Sequence, residues 1–166
     1  MGQGRSTRNA SRYGRMIDIN QDFRCIHCGY MVPATYIVAG VRNRNHCPYC
    51  LWSRHLDWRE AGDRLSACRA PMQPVGLTTK QSRNKYANER DGELMLVHEC
   101  SECGVLDINR IAADDDAIKL MAVFEESAEW VMLHREALHK SNVTLLRDED
   151  IDLVQRRLGI VEETVY

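Results

Sequence analysis

The chain has 166 residues, 44% of them hydrophobic and 28% charged, an ordinary globular composition that argues against wholesale disorder. No apolar run nears the ~20 residues that span a bilayer, and Met1 to Gly14 lacks the apolar core of a secretory signal, so the expected compartment is the cytoplasm. The net charge of −2 conceals a gradient, +4 over residues 1–16, +5 over 17–90 and −11 over 91–166, which points to a nucleic-acid-facing front and an acidic tail.

Residues 1–22 are rich in Gly, Ser, Asn and Arg and poor in apolar side chains, and disorder is the expectation there. Arg5, Arg8, Arg12 and Arg15 share one face if the segment becomes helical. From Phe23 to about Arg110, short extended runs alternate with CxxC pairs, Gly and Pro, the pattern of a small metal-stapled β-rich unit. Thr35 to Val41 (TYIVAGV) and Glu93 to Glu99 (ELMLVHE) are the strand candidates, and the polar stretch Ala70 to Gly92, with two early prolines, is predicted to be a long hairpin loop.

Three aspartates, Asp114 to Asp116, open a helical pattern and suit the positive end of a helix. Its apolar stripe is Ile118, Met121, Phe124, Ala128 and Val131. A second helix is predicted from Asp148 to Leu158, stopped by Gly159, so residues 117–166 form an acidic helical hairpin.

The cysteines carry most of the chemistry. Cys25-x2-Cys28 and Cys47-x2-Cys50 lie 18 residues apart, the spacing of a four-thiolate structural zinc site. The second pair, CPYC, also has the form of a redox tetrapeptide, but the strand-then-helix setting of a thiol oxidoreductase is missing around it. Cys68, Cys100 and Cys103 remain, and one imidazole would close a second site. His55 is the favoured fourth ligand, with His98 the alternative and His46 also in reach of the argument. A nucleobase deaminase is excluded, since no H-x-E precedes the Cys47–Cys50 pair and Pro48 follows Cys47 where P-C-x-x-C needs it before.

The blocks FRCIHCGYMVP, RNHCPYCLWSRHLD, GDRLSACRAPMQP, HECSECG and NRIAADDD together resemble the RNHCP domain family over roughly residues 23–116. The resemblance implies a zinc-ribbon-like domain whose pattern positions include the seven cysteines, His46 and His55. It implies no activity, and the Arg-rich front and the tail fall outside it.

The expectation is therefore an α+β protein: a basic extension (1–22), a zinc-ribbon-like β-hairpin domain with two Zn2+ sites (23–116) and a helical hairpin (117–166). The leading functional reading is a non-enzymatic module binding RNA or a ribonucleoprotein such as the ribosome. Its contacts would be Arg5, Arg8, Arg12, Arg15, Arg42, Arg44, Arg54, Lys80, Arg83 and Lys85, with Tyr49 and Trp52 available for stacking. The alternatives are a protein adaptor or homodimer using Met121, Phe124, Trp130 and Val131 of the tail, and a CPYC thiol oxidoreductase. Neither a membrane nor a small-molecule substrate is inferred.

Overall fold

The computed structural model of the chain describes residues 21–81 and 92–160. Most of the predicted basic extension, with Arg5, Arg8, Arg12 and Arg15, lies outside the described residues, as do Arg83 and Lys85. Helix and antiparallel sheet are combined, as expected. Strands β1 (Phe23–Arg24) and β2 (Met31–Val32) form a two-stranded hairpin. Strands β3 (Ser53–Arg54), β4 (Pro71–Lys80), β5 (Glu93–Cys100) and β6 (Leu106–Arg110) form a sheet in that spatial order, antiparallel throughout.

Two local expectations are overturned. Thr35 to Val41 is not a strand: Tyr36–Ala39 makes one helical turn, α1, closed by Gly40 at φ 67°. Its β-branched residues are a weak preference, and the left-handed Gly40, whose N–H reaches the Tyr36 carbonyl at 2.8 Å, closes a helical turn instead. Likewise Ala70 to Gly92 is not all loop, because Pro71–Lys80 is the longest strand. Pro71 begins the strand and Pro74 sits where the β4–β5 register shifts between Pro74 and Gly76, positions at which a missing N–H breaks no ladder.

Beyond its two-residue pairing with β3, β4 would expose an edge, and the tail covers it. Leu146 N–H donates to the Leu77 carbonyl at 2.8 Å, and Thr78 Oγ1 donates to the Thr144 carbonyl at 2.6 Å. A Cβ on Gly76 would stand 2.9 Å from Leu145 Cδ1 and 3.2 Å from Ser127 Cβ, so glycine is what allows this close approach.

The tail comprises α2 (Ala117–Leu133), α3 (Arg135–Ser141) and α4 (Ile151–Leu158), the last preceded by a 3-10 turn at Asp148–Asp150 and stopped by Gly159 at φ 69°. Its buried face is shifted from the predicted stripe: Leu120, Phe124 and Ser127 are buried, whereas Ile118 is 80% exposed. Leu120, Phe124 and Val154 share one core with Leu51, Leu77, Leu94 and Leu96. The tail and the sheet thus bury each other's apolar surface.

The three aspartates do more than complement a helix. Only Asp116 caps α2, accepting from Ile118 N–H at 2.9 Å and Lys119 N–H at 3.3 Å. Asp114 and Asp115 receive the guanidinium of Arg44, whose side chain has no exposed surface, with both Asp114 oxygens at 2.9 Å and Asp115 Oδ1 at 3.3 Å. Asp115 Oδ2 also lies 2.7 Å from His46 Nε2 and accepts from Ala112 N–H at 2.7 Å.

Asp115→Ala leaves a buried guanidinium short of its counter-charge, and should cost about 3 to 5 kcal/mol in urea denaturation. Glu93→Ala breaks the Arg110–Glu93 pair, whose side chains are 60% and 41% exposed, and should cost less than about 1 kcal/mol. Equal losses would show that burial does not set the worth of the Arg44 network.

Candidate metal centres

Three stretches of backbone repeat one construction. Cys25 N–H donates to the Tyr30 carbonyl (2.8 Å) and Gly29 N–H to the Cys25 carbonyl (3.0 Å). Cys47 N–H donates to Trp52 (2.9 Å) and Leu51 N–H to Cys47 (2.8 Å), and Cys100 N–H donates to Val105 (2.9 Å) and Gly104 N–H to Cys100 (3.0 Å). The residue after the second cysteine is left-handed each time: Gly29 at φ 78°, Leu51 at 62°, Gly104 at 69°.

Glycine takes that conformation without strain and leucine does not. Leu51 is 1% exposed and packs in the main core, so side-chain burial offsets the backbone cost. The second knuckle is therefore anchored to the core by a residue that glycine could not replace without loss of packing.

The knuckles bring the predicted ligands together in two clusters. Cys25, Cys28, Cys47 and Cys50 have donor atoms all within 4.8 Å of one another, and so do His55, Cys68, Cys100 and Cys103. In the first, Cys25 Sγ lies 3.6 Å from Cys50 Sγ, and Cys28 Sγ 3.6 Å from Cys47 Sγ. In the second, Cys68 Sγ is 3.6 Å from Cys100 Sγ, and Cys103 Sγ 3.4 Å from His55 Nδ1.

These separations fit the edges of a coordination tetrahedron. Ligand bonds of about 2.3 Å to sulfur and about 2.0 Å to nitrogen set S···S edges near 3.8 Å and S···N edges near 3.5 Å. Disulfide bonding, at about 2.05 Å, is far shorter than any of these contacts. Each cluster can hold one ion with four protein donors, and all seven cysteines are used.

The electrostatics of the thiols suit a shared cation. Burial works to raise the Cys28 pKa, but Tyr30 N–H and the thiols of Cys47, Cys25 and Cys50 outweigh it and draw it down to about 7. Burial pushes Cys47 up to about 11 and Cys50 up as well, with neighbouring sulfurs adding to the rise. Cys100 is likewise drawn down to about 7, against burial, by Cys103 and Glu102 N–H groups and neighbouring thiols, while burial raises Cys103. In each cluster hydrogen bonds from its neighbours draw one thiol down, and a divalent cation would favour the deprotonated form of every thiol around it.

The choice among histidines is made by position. His55 follows β3 and is paired with the loop that delivers Cys68, its N–H reaching the Ala70 carbonyl (2.9 Å) and its carbonyl accepting from Arg69 N–H (3.1 Å). His98 belongs to the core instead: it is fully buried, Nε2 lies 2.7 Å from the Leu51 carbonyl and Nδ1 2.9 Å from Asn109 Nδ2. Burial, then the nearby His46, depresses its pKa to about 3, so it stays neutral. His46 sits on Asp115, outside both clusters.

The CPYC motif is no nucleophile's setting. Cys47 has no exposed surface and lies in a turn flanked by extended segments, with its pKa raised rather than lowered.

Of the predicted nucleic-acid contacts within the described residues, Arg42, Arg54 and Lys80 are exposed, and Arg44 is buried on Asp114 and Asp115. Arg42 and Lys80 line one groove, and Arg54 lies on another with Arg24, Arg64 and Arg69. Sequence reasoning missed Arg24 and Arg69, although each adjoins a ligand cysteine. Tyr49 is 48% exposed, and Trp52 is half-buried with its ring parallel to His27 at 4.2 Å. The tail residues named for a docking face, Met121, Phe124, Trp130 and Val131, all pack in the chain's own cores. Among the described residues no helix is long and apolar enough to cross a membrane.

His55→Ala should lower the metal content of the purified protein from two ions per chain towards one, whereas His98→Gln should keep both ions and lower the melting temperature. Elemental analysis of both variants checks this, and loss of an ion from His98→Gln alone would reverse the ligand assignment.

No curated protein and no solved structure matches the chain. A family model does, over residues 20–121, more than half of the sequence and including both clusters and the Arg44 network. The chain belongs to the family described by the RNHCP domain.

Proposed function

We propose that the chain is a zinc-stapled nucleic-acid-binding module that engages RNA or a ribonucleoprotein such as the ribosome. Zinc is the ion the donor sets favour. Four thiolates in one cluster and three thiolates with one imidazole in the other are closed tetrahedral sets typical of structural zinc, with no position left for a reacting water.

The observation that supports the nucleic-acid reading is the placement of arginines on the metal-stapled elements. Arg24 precedes Cys25, Arg54 precedes His55 and Arg69 follows Cys68, all three exposed and all three on the wall of one cavity. Guanidinium groups held on rigid knuckles lose little freedom when they meet phosphate oxygens, and they bind them in bidentate fashion. The adaptor alternative has less to draw on, since Phe124 is buried and Met121, Trp130 and Val131 are half-buried against the chain's own cores.

Zinc-loaded full-length protein should shift structured RNA in gel electrophoresis, with affinity falling steeply between about 50 and 200 mM salt. Arg24→Ala with Arg54→Ala should flatten that salt dependence by about two phosphate contacts. No shift at the lower salt, with both ions bound, would overturn the reading.

A further inference from the structure

The cavity between β1, β3 and the segment around Arg64 to Arg69 has a volume of about 200 Å³. That is below the roughly 300 to 1,000 Å³ of pockets that engulf whole small ligands, and suits a single planar ring with its substituents left outside. Its charge is one-sided. Arg24, Arg54 and Arg69 stand on its wall, and among the described residues Asp22 is the only carboxylate there, with Oδ1 accepting from Ala34 N–H at 3.0 Å. Arg24 and Arg54 each spend one donor on a backbone carbonyl, Gly29 at 2.8 Å and Arg69 at 2.9 Å, which fixes them without neutralising them.

The wall also holds polar groups that the protein leaves unsatisfied. Asn45 is only 4% exposed, yet neither its amide nitrogen nor its amide oxygen has a hydrogen-bond partner. Arg64 Nε, buried in the same wall, has none either, although the rest of that guanidinium is held by Asp57 Oδ1 and the Arg44 carbonyl, each at 3.3 Å. Burying a donor or acceptor without a partner costs about 1 to 3 kcal/mol, so such groups persist where something else satisfies them. Phe23 and Trp52 supply apolar surface in the same wall, and the His27 ring braces the indole.

A ring with both donors and acceptors on its edge, flat faces and an attached anion meets all three features. We propose that this cavity is a nucleotide subsite: one unstacked base of a single-stranded RNA segment enters beside Phe23, Trp52 and Asn45, and its flanking phosphates lie on Arg24, Arg54 and Arg69. This rests on the nucleic-acid reading and assigns it a place. Bases splayed from single strands are recognised in this way, by aromatic contact and by hydrogen bonds to their edges, and backbone charge sets the register.

The test uses full-length, zinc-loaded protein and two probes, a fluorescein-labelled single-stranded RNA hexamer and a free nucleoside monophosphate. Fluorescence anisotropy should show binding of the hexamer, weakened roughly tenfold or more by Arg69→Glu on the exposed rim and by Asn45→Ala in the wall, as loss of one base contact would do. Lys140→Ala, exposed on α3 and not part of the cavity wall, should leave it within about twofold. Competition by the monophosphate alone, lost in the same variants, would show that the subsite takes a free nucleotide. Competition only by unlabelled hexamer would show that it reads a strand. If Arg69→Glu keeps both ions and binds the hexamer as the unsubstituted protein does, the cavity is not the subsite, while a retained shift of structured RNA would leave the broader reading standing. A fall in stability without a fall in affinity for Asn45→Ala would assign that amide to a buried water and remove it from the site.

Discussion

A guanidinium with no exposed surface must be neutralised where it stands, and Arg44 imposes that demand on the whole chain. Its partners, Asp114 and Asp115, lie some 70 residues further on, so the second metal knuckle can be built only when the start of α2 is brought to it. Asp115 also holds His46 and the Ala112 N–H, so one carboxylate fixes three separate groups. Two further contacts close the same junction: Asp116 N–H meets the Pro48 carbonyl at 3.4 Å, and Lys119 Nζ donates to the Tyr49 carbonyl. Arg44, His46 and Pro48 therefore dock the start of α2, and Cys47 between them belongs to a candidate metal cluster.

This junction explains why the family match runs to residue 121 and includes the first turn of α2. A boundary at the last cysteine would leave Arg44 and His46 without counter-charges. The same knuckle reaches the sheet through Leu51, whose side chain enters the core and whose carbonyl receives His98. A candidate metal cluster, ion pairing and apolar packing thus meet within a few residues, and failure of the ion pairing or the packing exposes the unsatisfied groups of the other.

The sequence made the ligands legible because metal chemistry leaves a fixed local spacing: two residues between thiols, eighteen between pairs. It left His55 against His98 open, since that choice depends on which histidine the β3–β4 pairing delivers, a long-range matter. Pro71 and Pro74 misdirected the reading of β4, because proline was weighed as a turn former and its tolerance at a strand start and a bulge was not. Asp114 and Asp115 were read as helix-end charges for the same reason: the partner that uses them is distant in sequence. The left-handed Leu51 had a visible signal, for it stands where Gly29 and Gly104 stand in the other two knuckles.

The division of labour among arginines follows from desolvation. Arg44 and Arg64 are held by carboxylates and carbonyls inside the protein, where the cost of removing them from water is met by fixed partners. Arg24, Arg54 and Arg69 keep exposed heads on the elements that carry the two candidate metal clusters. Glu125, Glu126 and Glu129 are exposed on α2, and among the described residues none after Arg69 lines the arginine-rich cavity. On the nucleic-acid reading, the acidic tail then has an electrostatic role besides its packing: it repels phosphate from the helical surface and leaves the knuckle face as the favourable approach.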